Sequence, residues 1–269
     1  MEKVIYTVLT GGYDRLQQPL VTDPGFHYVC FGDHAGQDGV WELREIPFEG
    51  SPVLRARWAK MHPHLLLPEY DYSVFMDANL CICGAEFYYI LLEAQNGPKM
   101  YFCTSSTTSQ SANNAVFELL QVLQHPERDC VWEELRYCYL KDKISTCSAF
   151  KIHRMLRGMP RHWGLAETNV LARKHNDPQI VDLDELWWRL LQESGGSRDQ
   201  LVFTPALHTL GMEPSLLLGP GLNARNVPYI NYVNHPLTGR ENVPGKLNWA
   251  NLKYNLRLLW RKAMLPCLK

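Results

Sequence analysis

A short apolar run, Ser73-Val-Phe-Met76, stops abruptly at Asp77-Ala78-Asn79, and this boundary constrains the chain more than any other. A short run this apolar, without alternation, reads as a strand covered on both faces, which places it inside a layered α/β sheet. Its end carries two oxygen donors, Asp77 and Asn79, side by side at the sheet edge. Hard divalent cations prefer such oxygen ligands. An Asp at a strand end also serves simply to cap the next turn, so the neighbouring segments decide between a site and a turn.

Those segments alternate in character. Residues 3–9 read as a first strand and are followed by the turn Thr10-Gly-Gly-Tyr-Asp14. Residues 26–31 read as a second strand ending in Gly32-Asp33, and 41–46 as a third. Helices are predicted over 54–66, closed by Pro68, and over 87–94, stopped by Asn96-Gly97-Pro98. Further helices are predicted over 114–123, 131–140 and 184–193, strands over 100–103 and 170–173, and a polar loop over 104–114. This alternation predicts a mainly parallel, Rossmann-type sheet with helices on both faces. Ligands on such sheets bind at the carboxyl ends of strands. The segments 10–14, 33 and 77–79 all fall at those ends.

Composition narrows the function. Hydrophobic residues make up 46% of the 269, enough for a sizeable core, and a net charge of -1 argues against a general nucleic-acid binder. The eight cysteines form no CxxC pair, and Cys81-x-Cys83 has no second pair to complete a zinc site. They read as reduced, mostly buried thiols. The apolar segment 4–9 is too short for a signal-peptide core or a membrane span, so a cytosolic protein is expected.

Several constellations carry possible chemistry. Thr10, Gly11, Tyr13 and Asp33 suit a nucleotide pocket: backbone groups from the turn, Tyr13 packed on a base, Asp33 accepting from a base N–H. The bland alternative is a tight turn with a strand-end Asp; the pattern is not GxGxxG, which argues against a dinucleotide. Arg55, Arg57 and Lys60 share one predicted helix, and Arg57 and Lys60, three apart, share a face. Two cations there would neutralise a diphosphate, unless the face is merely solvated. His62 and His64, two apart on a helix, point to different faces and read as structural. In the segment 125–134, Arg128 is expected to pair with Glu133 or Glu134. Glu167 and Asn169, two apart in an extended segment, would face one way and suit sugar hydroxyls. In Ser197-Arg198-Asp199-Gln200, either Ser197 or Asp199 caps a helix, or Asp199 is an acid at a reaction centre.

Taken together, YTVLTGGYD (6–14), FGD (31–33), RARWAKMHPHLLLPEYDYSVFMDAN (55–79), HPERDCVWEE (125–134), GLAETNVLARKHN (164–176) and LWW…SRDQLVF (186–203) resemble a glycosyltransferase-like domain family of bacteria and plants, similar to glycosyltransferases of the GT-A fold. The resemblance implies a GT-A-like sheet, a nucleotide-sugar donor such as a UDP-sugar, and Mn2+ or Mg2+. It puts Asp77 and Asn79 in place of an Asp-x-Asp metal motif and Asp33 at the base. Thr10, Gly11, Tyr13, Arg57, Lys60 and Gln200 join them at the donor. Asp199, Glu167 and Arg198 fall at the reacting sugars, and Asp199-Gln200 leans toward retention of anomeric configuration. A late histidine often completes the metal site in enzymes of that fold. His235 is the candidate here and His208 its competitor.

The resemblance covers roughly residues 4–203. We therefore divide the chain into a GT-A-like domain, 1–245, and a basic C-terminal helix, 246–269. The latter contains Lys246, Lys253, Arg257, Arg261, Lys262 and Lys269 and no acidic residue, with Trp249, Leu252, Leu256, Leu259, Trp260 and Ala263 on one stripe. That pattern suits peripheral contact with an anionic membrane and a glycan or lipid-linked glycan acceptor, or equally a helix packed on the domain. Two other functions compete: a non-catalytic nucleotide-sugar or glycan binding module, and a sugar nucleotidyltransferase. The turn at 10–15 has only Arg15 to hold a triphosphate, which counts against the nucleotidyltransferase.

Overall fold

The most apolar, β-branched segment near the start, β1 (Lys3–Leu9), lies at the centre of a sheet in the computed structural model. Residues 1–12, 14–94, 119–195, 198–219, 221–233 and 249–268 are described, with backbone alone at 249–255, 258 and 268. Tyr13, His235, Ser197 and the segments 100–103 and 104–114 lie outside the described residues.

Strand β1 is parallel to β2 (His27–Gly32) on one side and to β5 (Tyr72–Met76) on the other. Beyond β2 come β4 (Trp41–Glu45), parallel, and the antiparallel edge strand β3 (Gly36–Asp38). Beyond β5 come β8 (Ala166–Arg173) and β7 (Leu120–Gln124), antiparallel in turn, and then β9 (Ser215–Leu216). The result is an eight-stranded mixed sheet of order β3-β4-β2-β1-β5-β8-β7-β9. A separate antiparallel ladder joins β6 (Leu80–Ile82) to β10 (Ile230–Tyr232). The chain is thus a Rossmann-type α/β sheet flanked by helices, as the alternating pattern predicts, but mixed where that pattern predicts a mainly parallel sheet: β3, β8 and β7 enter antiparallel.

Every residue of β5 and β8 is buried, because both faces of the sheet are covered. On one face Tyr6, Phe31, Phe75 and Leu171 pack against α1 (Pro52–Met61), α4 (Val131–Leu140), α5 (Thr146–Met155), α6 (Pro178–Ser194) and α7 (Gln200–Leu210). On the other, Ile5, Cys30, Val74 and Val170 meet α3 (Glu86–Glu93) and the segment from Leu217 to Ile230. Fully burying each large apolar side chain contributes about 1.5–3 kcal/mol. The last helix, α8 (Trp249–Met264), leads into a short 3-10 turn, and Met264 and Leu265 touch the first of these cores.

Two expectations fail for clear reasons. The single helix over 54–66 is in fact α1 and α2 (Pro63–Leu66), split at His62, whose φ of -126° and ψ of 47° leave the helical region. Pro63 disfavours a helical His62 and lacks the N–H that a continuous helix needs. The break also changes the histidines: His62 and His64 converge on Glu185, at 3.6 and 3.3 Å, instead of pointing apart. Second, the helix expected over 114–123 contains the strand β7 at its described end. A five-residue segment, Leu-Gln-Val-Leu-Gln, buried at four positions, is too short for its periodicity to tell strand from helix.

Candidate active site

The chain runs from β1 outward through β2 to β4. It then returns along α1 and α2 to β5, on the far side of β1. The order therefore reverses between β1 and β5, and such a switch point opens a crevice at the strand ends. Thr10 follows β1, Asp33 follows β2, and Asp77 follows β5 on this same edge. Because β8 is antiparallel to β5, it brings its beginning there: the Asp77 N–H donates to the Asn169 carbonyl at 2.9 Å. Val122 pairs with Leu171 but the next residue, Leu123, pairs with Glu167, leaving residues 168–170 without a β7 partner. Bulges of this kind re-aim side chains and are common beside active sites.

Helix α1 supplies the cations. Ser51 caps it by accepting from the Leu54 N–H at 3.3 Å, Pro52 starts it, and the Thr10 hydroxyl donates to the Pro52 carbonyl at 2.8 Å. Its three basic residues part company. Arg55 pairs with the Asp33 carboxylate, which also accepts from the Gly11 N–H at 2.9 Å. The Gly11 bond, with Arg55 beside it, holds the Asp33 carboxyl below its ordinary range. Asp33 remains exposed and keeps acceptor capacity, since a carboxylate has about four lone-pair sites.

Lys60 turns inward. Only 2% exposed, its ammonium donates to Asp199 Oδ2 at 2.6 Å and Thr168 Oγ1 at 3.1 Å and lies over the Phe75 ring. Arg57 Nε stands 3.4 Å from the other oxygen of Asp199, and Thr168 donates to Oδ2 at 3.2 Å. Asp199 occupies the N-cap position of α7 but its side chain makes no cap bond; Trp187 Nε1 fixes its carbonyl at 2.9 Å. Burial by itself would raise the Asp199 pKa, but Arg57 and Lys60 outweigh it and hold the carboxyl far below the usual range. Burial lowers the pKa of Lys60, opposed by Asp199 and then by Asp77.

The backbone of Lys60 is pinned as firmly as its side chain. Its carbonyl, at the end of α1, accepts from Tyr6 Oη at 2.9 Å and Arg173 Nη2 at 2.8 Å. Arg173 in turn grips Asp184 through both carboxylate oxygens, at 2.7 and 2.8 Å, with both side chains almost wholly buried. A cation at a helix carboxyl end meets unpaired carbonyls and the negative end of the dipole.

On the other side of β8, buried Glu167 accepts from Arg225 through Oε1, while its Oε2 has no protein partner. Burial raises the Glu167 pKa, and Arg225 only partly offsets this. Thr168 and Glu167, adjacent in sequence, thus serve opposite sides of the strand. Asn169 is 6% exposed with both side-chain polar atoms lacking a hydrogen bond, and Thr7 Oγ1 is likewise buried without one; Arg57 Nε has its ion pair to Asp199 but no hydrogen bond. Orphans of this kind are uncommon and call for a water or a ligand.

The remaining expected residues are placed as follows. Asn79 is 4% exposed and its Nδ2 donates to the Val233 carbonyl at 3.1 Å, leaving Oδ1 as its only ligating atom. Gln200 Nε2 donates to the Ala166 carbonyl at 2.9 Å. Arg198 reaches Cys138 Sγ at 3.9 Å, and His208 packs edge-on against Trp163. Arg128 pairs with Glu134 at 2.7 Å, one of its two expected partners. Oxygens from Asp77 and Asn79 suit a hard cation, but no group of three His, Cys, Asp or Glu side chains among the described residues would hold one by itself.

Two openings flank this cluster. A narrow crevice of about 10 Å³ lies between Thr7, Trp41, Met76 and Asp77, enough for roughly one water. A groove of about 370 Å³ is lined by Glu167, Arg198, Gln200 and Arg225 together with Arg128 and Lys143. Sequence reasoning missed Thr168, Arg173, Asp184 and Arg225. Arg225 sits in an aperiodic segment, Asn223-Ala-Arg-Asn226, that carries no local signal.

No family model and no curated protein matches the chain. Among solved structures it is similar to the apo structure of the bifunctional glycosyltransferase WbbM, with a TM-score of 0.40 and 8% identity over 79% of this chain. The chain spans 38% of the length of that structure.

Proposed function

We propose that this chain is a glycosyltransferase that moves a sugar from a UDP-sugar to a glycan hydroxyl. One observation carries the reading. Asp77, at the switch point, acts electrostatically on Lys60 and on Glu167, lines a crevice with Thr7, and donates its N–H to the carbonyl of Asn169, whose buried side chain makes no hydrogen bond. Charged and unpaired buried groups gathered at the strand ends are what a polar, phosphate-bearing ligand needs. The crevice is too narrow for a base, so a nucleotide would lie across the strand ends, over Gly11, Asp33 and Arg55.

In this reading the two buried carboxylates divide the work, because their surroundings push their proton affinities apart. Asp199, held ionised by Arg57 and Lys60, is a poor base; it orients the cations and the sugar. Glu167, whose affinity for a proton is raised and whose Oε2 is unpaired, is the better acceptor for the hydroxyl proton. Arg57 is the cation positioned for a departing diphosphate, since the Lys60 ammonium is committed inside. Asp77 and Asn79 Oδ1 would hold Mn2+ or Mg2+, with the donor diphosphate completing the shell. Such a cation would neutralise leaving-group charge, an effect worth several kcal/mol.

A membrane-bound or lipid-linked acceptor fits α8, where Leu256, Leu259 and Trp260 are 57, 63 and 52% exposed. Among the described residues no helix is long and apolar enough to cross a membrane. A binding module is the reading favoured by the Asn79 amide bond to Val233, which spends part of that side chain on structure. UDP release from UDP-sugars with Mn2+, measured for the wild type and for Glu167→Gln, separates the two. Transfer predicts turnover that falls at least about tenfold in the variant; binding without turnover in the wild type would rule transfer out.

A further inference from the structure

The groove beside Glu167 has a charge imbalance that selects a ligand. Four cations line it. Two have carboxylate partners: Arg128 with Glu134 and Glu127, and Arg225 with Glu167. For the other two no ion pair is found among the described residues. Among the described residues the hydrogen bond of half-buried Arg198 goes to the Cys138 thiol at 3.9 Å, a weak acceptor. Lys143 rests its ammonium 4.6 Å from the centre of the Tyr137 ring, which Arg128 also faces at 4.3 Å.

The Arg198 guanidinium is partly desolvated, and the carboxylates that act on it through space, Asp199 and Glu134, are already paired with Arg57 and Lys60 and with Arg128, so a ligand anion would complete its neutralisation. Its planar fork matches a carboxylate or a phosphate. The opening of about 370 Å³ is of the size that accepts a sugar unit or two. Its floor, Glu167 and Gln200, is the edge at which the transfer would occur.

We propose that this groove is the acceptor subsite and that it takes an acidic glycan, one carrying a carboxylate or phosphate, with Arg198 on the anion and Lys143 at its rim. The proposal rests on the glycosyltransferase reading and names its acceptor class. The acid lies close to the reacting hydroxyl, because Arg198 and Gln200 flank Asp199 in the same turn of chain.

Ligand-observed NMR tests it with four probes: a glucuronate-containing disaccharide, its neutral glucose counterpart, inorganic phosphate, and UDP. Lys143→Glu is the first variant, because an exposed side chain bonded to no carboxylate can be reversed without unfolding the protein. Arg198→Gln is the second. The expected result is that the uronate disaccharide binds at least tenfold more tightly than the neutral one. Each variant should erase that preference, and UDP should bind Lys143→Glu as it binds the wild type. Phosphate competing with the uronate would place a phosphate-bearing acceptor in the same class; no competition would narrow the class to carboxylates. Equal binding of acidic and neutral sugars, no binding of either, or loss of UDP from Lys143→Glu would overturn the proposal. Failure of UDP to bind the wild type while the uronate preference persists would instead count against the donor reading.

Discussion

Lys60 and Asp199 are 139 positions apart and form the buried ion pair on which the geometry of the site depends. Lys60 is 2% exposed and Asp199 5%, so solvent screens neither. Replacing Lys60 with Met keeps the apolar stem over Phe75 and Trp187 but strips Asp199 of its 2.6 Å partner. Arg57 at 3.4 Å and the Thr168 hydroxyl remain, and they cannot fully replace a direct ammonium bond. Removing one partner of a buried pair costs about 3–5 kcal/mol. At roughly 2–4 °C per kcal/mol for chains of a few hundred residues, the melting temperature falls by about 10 °C. Asp199→Leu should cost about as much, because it buries an unpaired ammonium. The double variant should lose far less than the sum, since replacing the whole pair by apolar groups is often near neutral. A coupling of at least about 2 kcal/mol is therefore expected from a double-mutant cycle in urea, followed by tryptophan fluorescence. Single losses below about 1 kcal/mol, or additive losses, would refute the buried pair as described.

Other consequences follow from the same geometry. His175 is fully buried, donates through Nε2 to the Leu67 carbonyl at 2.9 Å, and burial pulls its pKa down to about 4. Folded His175 stays neutral while the unfolded chain takes a proton below pH ~6.5. Its contribution is therefore complete above that pH and lost as pH falls toward 4; the stability gap between wild type and His175→Asn should shrink by about 3 kcal/mol over that range. A constant gap would contradict this. Gly11 has φ +64° and a Cβ there would come within 2.8 Å of the Pro52 Cβ, whereas Gly12 at φ +63° has open space. Gly11→Ala should thus destabilise beyond the ~1–2 kcal/mol of left-handed strain expected for Gly12→Ala, and equal losses on denaturation would count against the close approach. Leu259 and Trp260 predict sedimentation with phosphatidylserine vesicles but not with phosphatidylcholine alone, abolished by Leu259→Ser with Trp260→Ser; indifference to lipid charge or to the substitutions would remove α8 from the membrane.

The strands were legible where an apolar run met a sharp boundary. β1 and β5 needed only their own residues, and the reversal between them put Thr10, Asp33 and Asp77 on one edge as expected. The site was legible as an inventory and not as a set of partnerships. Spacing places Arg57 and Lys60 on one face of α1; it does not say whether that face looks to solvent or to Asp199. Asp199 looked equally like a cap, and only its distance to Lys60 shows that the carboxylate serves the cations. Glu167 and Thr168 diverge by the ordinary alternation of a strand, but nothing within an isolated strand marks the register shift that leaves residues 168–170 without a β7 partner. The split at His62 is marked in the sequence by Pro63, which lies inside the segment 54–66 that Pro68 is expected to close. Arg261 reads as part of a basic flank, yet it is 8% exposed and donates to the Tyr139 and Ile144 carbonyls. A long side chain that carries charge into the core leaves no mark in a sequence pattern.

If Asp77 organises a nucleotide-sugar site, a thermal shift with UDP-sugars and Mn2+ will show it. At least one UDP-sugar should stabilise the wild type, by about 2.7 kcal/mol at a hundredfold excess over its dissociation constant. Asp77→Asn should abolish the shift while the ligand-free circular dichroism spectrum stays unchanged. A full shift in Asp77→Asn, or none in the wild type with any UDP-, GDP- or CMP-sugar, would contradict it.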